Sequence, residues 1–198
     1  MPDALRLAIG TLTRLPVPAP RQVDRRTAGI AMSLSPFIAL VLAIICGLPL
    51  LLAHDQQLLA LVLSIGAFAL LAWTTRALHL DGLADTADAL GSGKPAEAAL
   101  AIARKSDIGP FGVITLLFAL LLDIAALASF AQPGDAYLAF VIAIVTSRIG
   151  LTWACTRLWP AARAEGLGAV VATSVPLIVA VASSFTVAKP PFVQPSTR

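Results

Sequence analysis

Long apolar stretches separated by short polar ones dominate this chain, and a window of about 20 apolar residues is what a helix needs to cross a bilayer. Five segments meet that length or nearly so: 31–53, 56–75, 110–131, 136–155 and 167–188. His54-Asp55 alone separates the first two, and Gln132-Pro133-Gly134-Asp135 separates the third from the fourth, so each pair reads as an antiparallel hairpin. Pro36, Pro49 and Pro176 fall inside these runs and are expected to kink them or mark their ends. Ahead of them, Leu5, Ile9 and Leu12 share one helical face, which predicts a short helix lying in the membrane interface. Arg14-Leu15-Pro16-Val17-Pro18 then imposes an extended segment. The expected fold is all-α: a polytopic transmembrane helical bundle of about five spans plus a short N-terminal interfacial helix. Residues 1–188 form a single integral-membrane domain in this reading, and the proline-rich 189–198 a disordered tail.

Composition supports a bilayer rather than an aqueous core. The chain is 58% hydrophobic, with a mean hydropathy of +0.88 and only 13% charged residues, against about 25% in a soluble domain. Charge also sets a topology. Arg6, Arg14, Arg21, Arg25 and Arg26 precede the first span; Arg76, Lys94, Arg104 and Lys105 lie between the second and third; Arg157 and Arg163 follow the fourth. The two short connections hold no Lys or Arg, so the basic segments are expected on the cytoplasmic face of a multi-pass protein of the cell inner membrane. Residues 1–20 have neither a continuous apolar core nor a small-residue cleavage site, so no signal peptide is expected. A net charge of +3 from scattered basic residues, with 6% aromatics, gives no nucleic-acid footprint. Cys46 and Cys155 sit in apolar runs without metal-ligand spacing and read as buried small hydrophobes.

The chemistry concentrates between the second and third spans. In His79-Leu80-Asp81-Gly82-Leu83-Ala84-Asp85-Thr86-Ala87-Asp88-Ala89-Leu90-Gly91, three of the chain's 11 acidic residues fall at i, i+4 and i+7. A helix stacks them on one face, roughly 6 and 4.5 Å apart in axial rise. Like charges so close repel unless a cation is present, and hard oxygen donors without a His/Cys cluster favour Mg²⁺ or Mn²⁺, so Asp81, Asp85 and Asp88 are the candidate metal ligands. A solvated acidic helix end is the competing reading, weakened by how apolar the rest of the chain is. Downstream, Arg104-Lys105-Ser106-Asp107-Ile108-Gly109-Pro110-Phe111-Gly112 brings two cations, an acid and glycines to the start of the third span. Arg104 and Lys105 could hold a diphosphate there, with the glycines allowing close approach to a helix N-terminus; membrane anchoring is the plainer alternative. Gly91-Ser92-Gly93 reads as a flexible break. Asp123 and Arg148 lie within spans and are candidates to pair with each other, Arg148 alternatively reaching a substrate phosphate. Glu165, opening the last span, and His79 are further candidate substrate-binding groups.

Together these segments resemble cobalamin synthase, the adenosylcobinamide-GDP ribazoletransferase family. The resemblance rests on Arg14-Leu15-Pro16-Val17-Pro18, on the aspartate segment His79 to Gly91, on Arg104 to Gly112 and on Arg163-Ala164-Glu165-Gly166-Leu167-Gly168, in the family's order. It implies a Mg²⁺-dependent integral-membrane transferase that joins adenosylcobinamide-GDP to α-ribazole or its 5′-phosphate and releases GMP. On that reading magnesium at Asp81, Asp85 and Asp88 neutralises the diphosphate. One of those aspartates, or Asp107, accepts the hydroxyl proton, which makes Asp81, Asp85 and Asp107 the candidate catalytic residues; Arg104 and Lys105 clamp phosphate oxygens. The family's usual glycine-rich segment of the Gly-Gly-x-Thr-Gly-Asp type, with the apolar stretch that follows it, has no counterpart in these 198 residues, which leaves a truncated, inactive member as one expectation. A CDP-alcohol phosphotransferase is the nearest alternative, but the Ala-Arg that family places after Asp-Gly-x-x is missing here. A cation transporter would need carboxylates at mid-depth in several spans rather than on one side. An oligomer is compatible with the sequence.

Overall fold

The computed structural model describes residues 1–53, 56–130, 132–162 and 164–185. The described residues are helical apart from connections and one isolated bridge: α1 Asp3–Leu12, α2 Arg25–Ser33, α3 Ser35–Gly47 continued by a 3₁₀ turn Leu48–Leu52, α4 Gln57–Thr74, α5 Leu78–Gly91, α6 Ala96–Ile102, α7 Pro110–Ala128, α8 Pro133–Ala154, α9 Leu167–Val171 and α10 Leu177–Phe185. Among the described residues, four helical stretches are long and apolar enough to span a bilayer: Arg25–Leu52, Gln57–Thr74, Pro110–Ala128 and Gly134–Ala154. The all-α multi-pass bundle is thus as expected. The fifth expected span, 167–188, is divided within the described residues into α9 and α10, and its end, like the tail 189–198, lies outside them. The prolines act mainly at boundaries. Pro36 is in the first turn of α3, Pro49 is in the 3₁₀ turn and Pro176 precedes α10, because a missing N–H costs nothing where no helical bond is due. Pro133 likewise opens α8, so that helix begins inside the expected connection.

The chain resolves into two compact units. One comprises Met1–Ile44 with Phe140–Arg198. There α1 packs on α2, and Ala8, Ala31, Met32, Cys155 and Val175 form a buried cluster. Asp24 caps α2 by accepting from the Thr27 N–H at 2.7 Å, and that bond holds the Asp24 carboxyl below the ordinary carboxylate range. Ser35 Oγ donates to the Met32 carbonyl at 2.7 Å, and Thr152 Oγ1 donates to the Arg148 carbonyl at 3.2 Å. Both side chains are fully buried and 3.5 Å apart, a small polar contact between α3 and α8 of the kind that joins helices in lipid. Val175 N–H donates to the Cys155 carbonyl at 3.0 Å, and Trp153 Nε1 donates to Ser184 Oγ at 3.0 Å. Arg25 donates to both the carbonyl and the hydroxyl of Thr173, whose φ is +57°.

The other unit is Ile45–Ala139. Here α4 packs against α7 and the 3₁₀ turn, and its buried positions Ala60, Ser64, Ala67 and Leu71 form a stripe of mostly small residues that lets helices approach closely. Leu58, Trp73, Phe118 and Leu122 remain 60–73% exposed on the same helices, a burden that hydrocarbon relieves and water does not. Between α4 and α5 the backbone turns through Arg76 (φ +54°) and Ala77 (φ +53°), two consecutive left-handed residues with no glycine. The connection to α7 holds an element the hydrophobic pattern did not predict, α6, whose Pro95-Ala96-Glu97-Ala98-Ala99 start favours a helix by propensity alone.

Glycine positions offer a test of this packing. A Cβ at Gly29 would lie 2.3 Å from the Ser174 carbonyl oxygen, whereas one at Gly66 meets nothing within 4 Å. Gly29→Val is expected to destabilise the protein by about 1–3 kcal/mol and Gly66→Ala to change stability by less than about 1 kcal/mol. Thermal melting in detergent micelles distinguishes them.

Candidate functional site

The aspartate segment is a helix, as its periodicity predicts: Asp81, Asp85 and Asp88 all lie on α5. Their environments differ sharply. Asp81, in the first turn, is exposed; Asp85 is half-buried; Asp88 is only 9% exposed. Asp88 Oδ2 accepts from the Gly109 N–H at 2.7 Å and Oδ1 from the Gly112 N–H at 2.9 Å. These amides are the N-cap and third residue of α7. A helix beginning Gly109-Pro110 carries no side chain of its own to accept the first orphan N–H groups, so a carboxylate from another helix does it. The negative charge also sits at the positive end of the α7 dipole.

The glycines of the third-span motif serve this contact. A Cβ at Gly109 would lie 2.5 Å from Asp88 Oδ1, and one at Gly112 would lie 2.5 Å from Asp88 Oδ2. The sequence suggested that they open the helix N-terminus to a phosphate; the structure gives that end of α7 to Asp88 instead. Gly91 marks the break after the aspartate helix. It ends α5 beneath the Phe111 ring, where a Cβ would come within 2.4 Å, and Gly93 takes a left-handed φ of +62° in a defined turn.

Beside this contact lies a cleft of about 280 Å³, lined by Asp85 and Asp88 of α5, Ser92 and Lys94 of the following turn, and Lys105 and Asp107 of the α6–α7 connection, with Phe111 at the start of α7. It brings Asp85, Asp88, Lys105 and Asp107 together. His79 and Asp81 are not among its lining residues, and neither is Arg104, whose Nε donates to the Leu100 carbonyl at 3.2 Å. Ser92 and Lys94 were not singled out by sequence reasoning; the signal available was that Lys94 stands one turn beyond a glycine-flanked helix end. Arg148 and Glu165 belong to the other unit. Arg148 donates to Ser147 Oγ at 2.7 Å, and exposed Glu165 lines a separate, largely apolar cleft of about 540 Å³ with Cys155, Trp159 and Gly168. Asp123 and Arg148 fall in different units. Cys46 and Cys155 are buried free thiols, as expected.

Among the described residues, no three His, Cys, Asp or Glu side chains converge as a metal-binding group. Magnesium asks for less: it commonly takes one or two carboxylates and fills its shell with substrate phosphates and water. Asp85 on the cleft wall is a hard-oxygen donor of the kind that fits such an ion.

The helices define a multi-pass membrane protein that carries a mixed carboxylate–lysine cleft beside the N-terminus of a spanning helix. The family model for cobalamin-5-phosphate synthase matches residues 4–193, and the chain belongs to that family. It is 40% identical over 178 residues to an adenosylcobinamide-GDP ribazoletransferase of Frankia casuarinae, covering 86% of this chain and 64% of the relative. Proteins of the same name from Nocardioides sp. (42% identical; 91% of this chain, 78% of the relative) and Rhizobium etli (37% identical; 82% and 64%) are also similar. The chain thus spans 64% of the length of the Frankia and Rhizobium relatives. No solved structure matches it.

The Asp88 contact is testable apart from activity. Asp88→Ala leaves two amide donors without their acceptor and is expected to cost about 2–4 kcal/mol of stability. Gly112→Ala is expected to cost about 1–3 kcal/mol by displacing the same carboxylate. Because both changes act on one contact, the double variant should lose clearly less than their sum in denaturation measurements.

Proposed function

We propose that this chain transfers the adenosylcobinamide-phosphate group of adenosylcobinamide-GDP to α-ribazole or its 5′-phosphate, with release of GMP, at the cytoplasmic face of the cell inner membrane. The observation that carries the reading is the coincidence of two facts: the family match runs over residues 4–193, and its aspartate segment folds into a cleft wall facing a lysine. The clustering of Arg and Lys in the segments flanking the cleft supports the cytoplasmic placement.

The reaction is a displacement at phosphorus. A ribose hydroxyl of α-ribazole forms a P–O bond to the phosphorus bearing the corrinoid arm, the P–O bond to GMP breaks, and the hydroxyl proton passes to a base. We assign that base to Asp107, whose carboxylate makes no hydrogen bond or ion pair among the described residues and lines the cleft. Lys105 holds a phosphate oxygen and stabilises the charge developing there. Asp85 would hold magnesium, which when bound neutralises the diphosphate and the departing GMP. Asp88 acts indirectly. With each oxygen already accepting an N–H, it fixes α5 against α7 and so sets where Asp85 stands relative to Asp107.

Purified protein in detergent or nanodiscs, given adenosylcobinamide-GDP, α-ribazole and Mg²⁺, should release GMP and form a cobalamin, and EDTA should stop both. Absence of turnover overturns the reading for this chain. Asp85→Asn should lower kcat by about 10²–10³-fold with little change in melting temperature; unchanged turnover would remove Asp85 from the machinery.

A further inference from the structure

We infer that Lys94 is a second phosphate-binding residue, lining the same cleft as Lys105, so that the site grips a diphosphate with two ammonium groups carried by different elements. The inference rests on the transferase reading for the identity of the substrate, but on geometry for the residue.

The α7 N-terminus is the obvious place for a phosphate next to this cleft, and Asp88 already fills it, with both oxygens bonded to α7 amides. Apart from any metal, a phosphate in the cleft finds its positive charge in side chains. Arg104, the natural companion of Lys105 in sequence, is not in the lining and its guanidinium donates to the Leu100 carbonyl. The lining cations are Lys94 and Lys105. Neither ammonium has a hydrogen bond or ion pair among the described residues, although carboxylates line the same space.

The turn bearing Lys94 is well defined. Ser92 Oγ donates to the Ala89 carbonyl at 2.7 Å and accepts the Lys94 N–H at 3.3 Å, and Gly93 turns the chain at φ +62°. The backbone from which Lys94 reaches into the cleft is thus set by the end of α5. Three carboxylates line the same space of about 280 Å³, so an anion is favoured there only where the lysines meet it directly. A diphosphate, with a charge on each phosphate group, gives each lysine its own partner, whereas a single phosphate leaves one lysine underused.

The test is direct binding of inorganic pyrophosphate by calorimetry, with EDTA present so that no metal contributes, and adenosylcobinamide-GDP kinetics alongside. Lys94→Ala should weaken pyrophosphate binding about 10–100-fold, affect orthophosphate less, and raise KM for the corrinoid substrate more than it lowers kcat. Lys94→Arg should recover most of the affinity, and both variants should melt like the wild type. Pyrophosphate binding unchanged within about twofold in Lys94→Ala, while Lys105→Ala loses it, overturns the inference, as does a wild-type protein that binds no pyrophosphate at millimolar concentration. A wild type that binds pyrophosphate through Lys94 but releases no GMP sinks the transferase reading and leaves this one standing.

Discussion

A helix that starts on Gly109-Pro110 inside a membrane protein faces a specific problem. Its first amides point out of the helix, and the N-cap residue has no side chain to accept from them. Asp88 resolves this from 21 and 24 residues away, and most of what is distinctive in the cleft follows. The carboxylate must lie deep, so α5 must lie close; α5 can lie close only if Gly109 and Gly112 have no side chains and Gly91 leaves room for the Phe111 ring. At its other end α7 is treated similarly, with Gln57 Nε2 donating to the Ala128 carbonyl at 3.1 Å. A spanning helix capped at both ends by its neighbours is held in register along its own axis as well as sideways.

That arrangement separates three aspartates that look equivalent on a helical wheel. Asp88 is structural in its contacts and buried, Asp85 faces the cleft at intermediate depth, and Asp81 lies exposed at the start of α5. Charge repulsion among them is eased partly within the protein, since the amides of α7 take up one carboxylate before any metal is considered. The cleft therefore draws on several elements: carboxylates from α5 and from the α6–α7 connection, cations from the turn after α5 and from that same connection.

Four of the five expected spans and α5 were legible because their signals are local: long apolar runs, and a period that puts residues 81, 85 and 88 on one face. The cleft was legible in part. Asp85, Lys105 and Asp107 carry charges conspicuous in so apolar a chain, and they do meet. What the sequence did not disclose depends on partners distant in the chain or on which way a loop turns. Nothing in the motif Gly109-Pro110-Phe111-Gly112 says that its glycines yield space to a carboxylate rather than to a phosphate; only the packing of α5 on α7 decides that. Lys94 and Arg104 look alike as basic loop residues, and the turn at Gly93 sets the first on the cleft while the second stays with its own helix end. The seven residues of α6 are too few for an amphipathic pattern to be read, although alanine content alone favours them.

The joint at Arg76 and Ala77 trades backbone comfort for direction. Glycine at either position would adopt the left-handed backbone without the steric cost that side chains incur there, of roughly 1–2 kcal/mol each. Glycine would also let the joint sample many other angles. Two residues with side chains narrow the choice, so the direction in which α5 leaves the membrane is set by the chain itself before any ligand arrives.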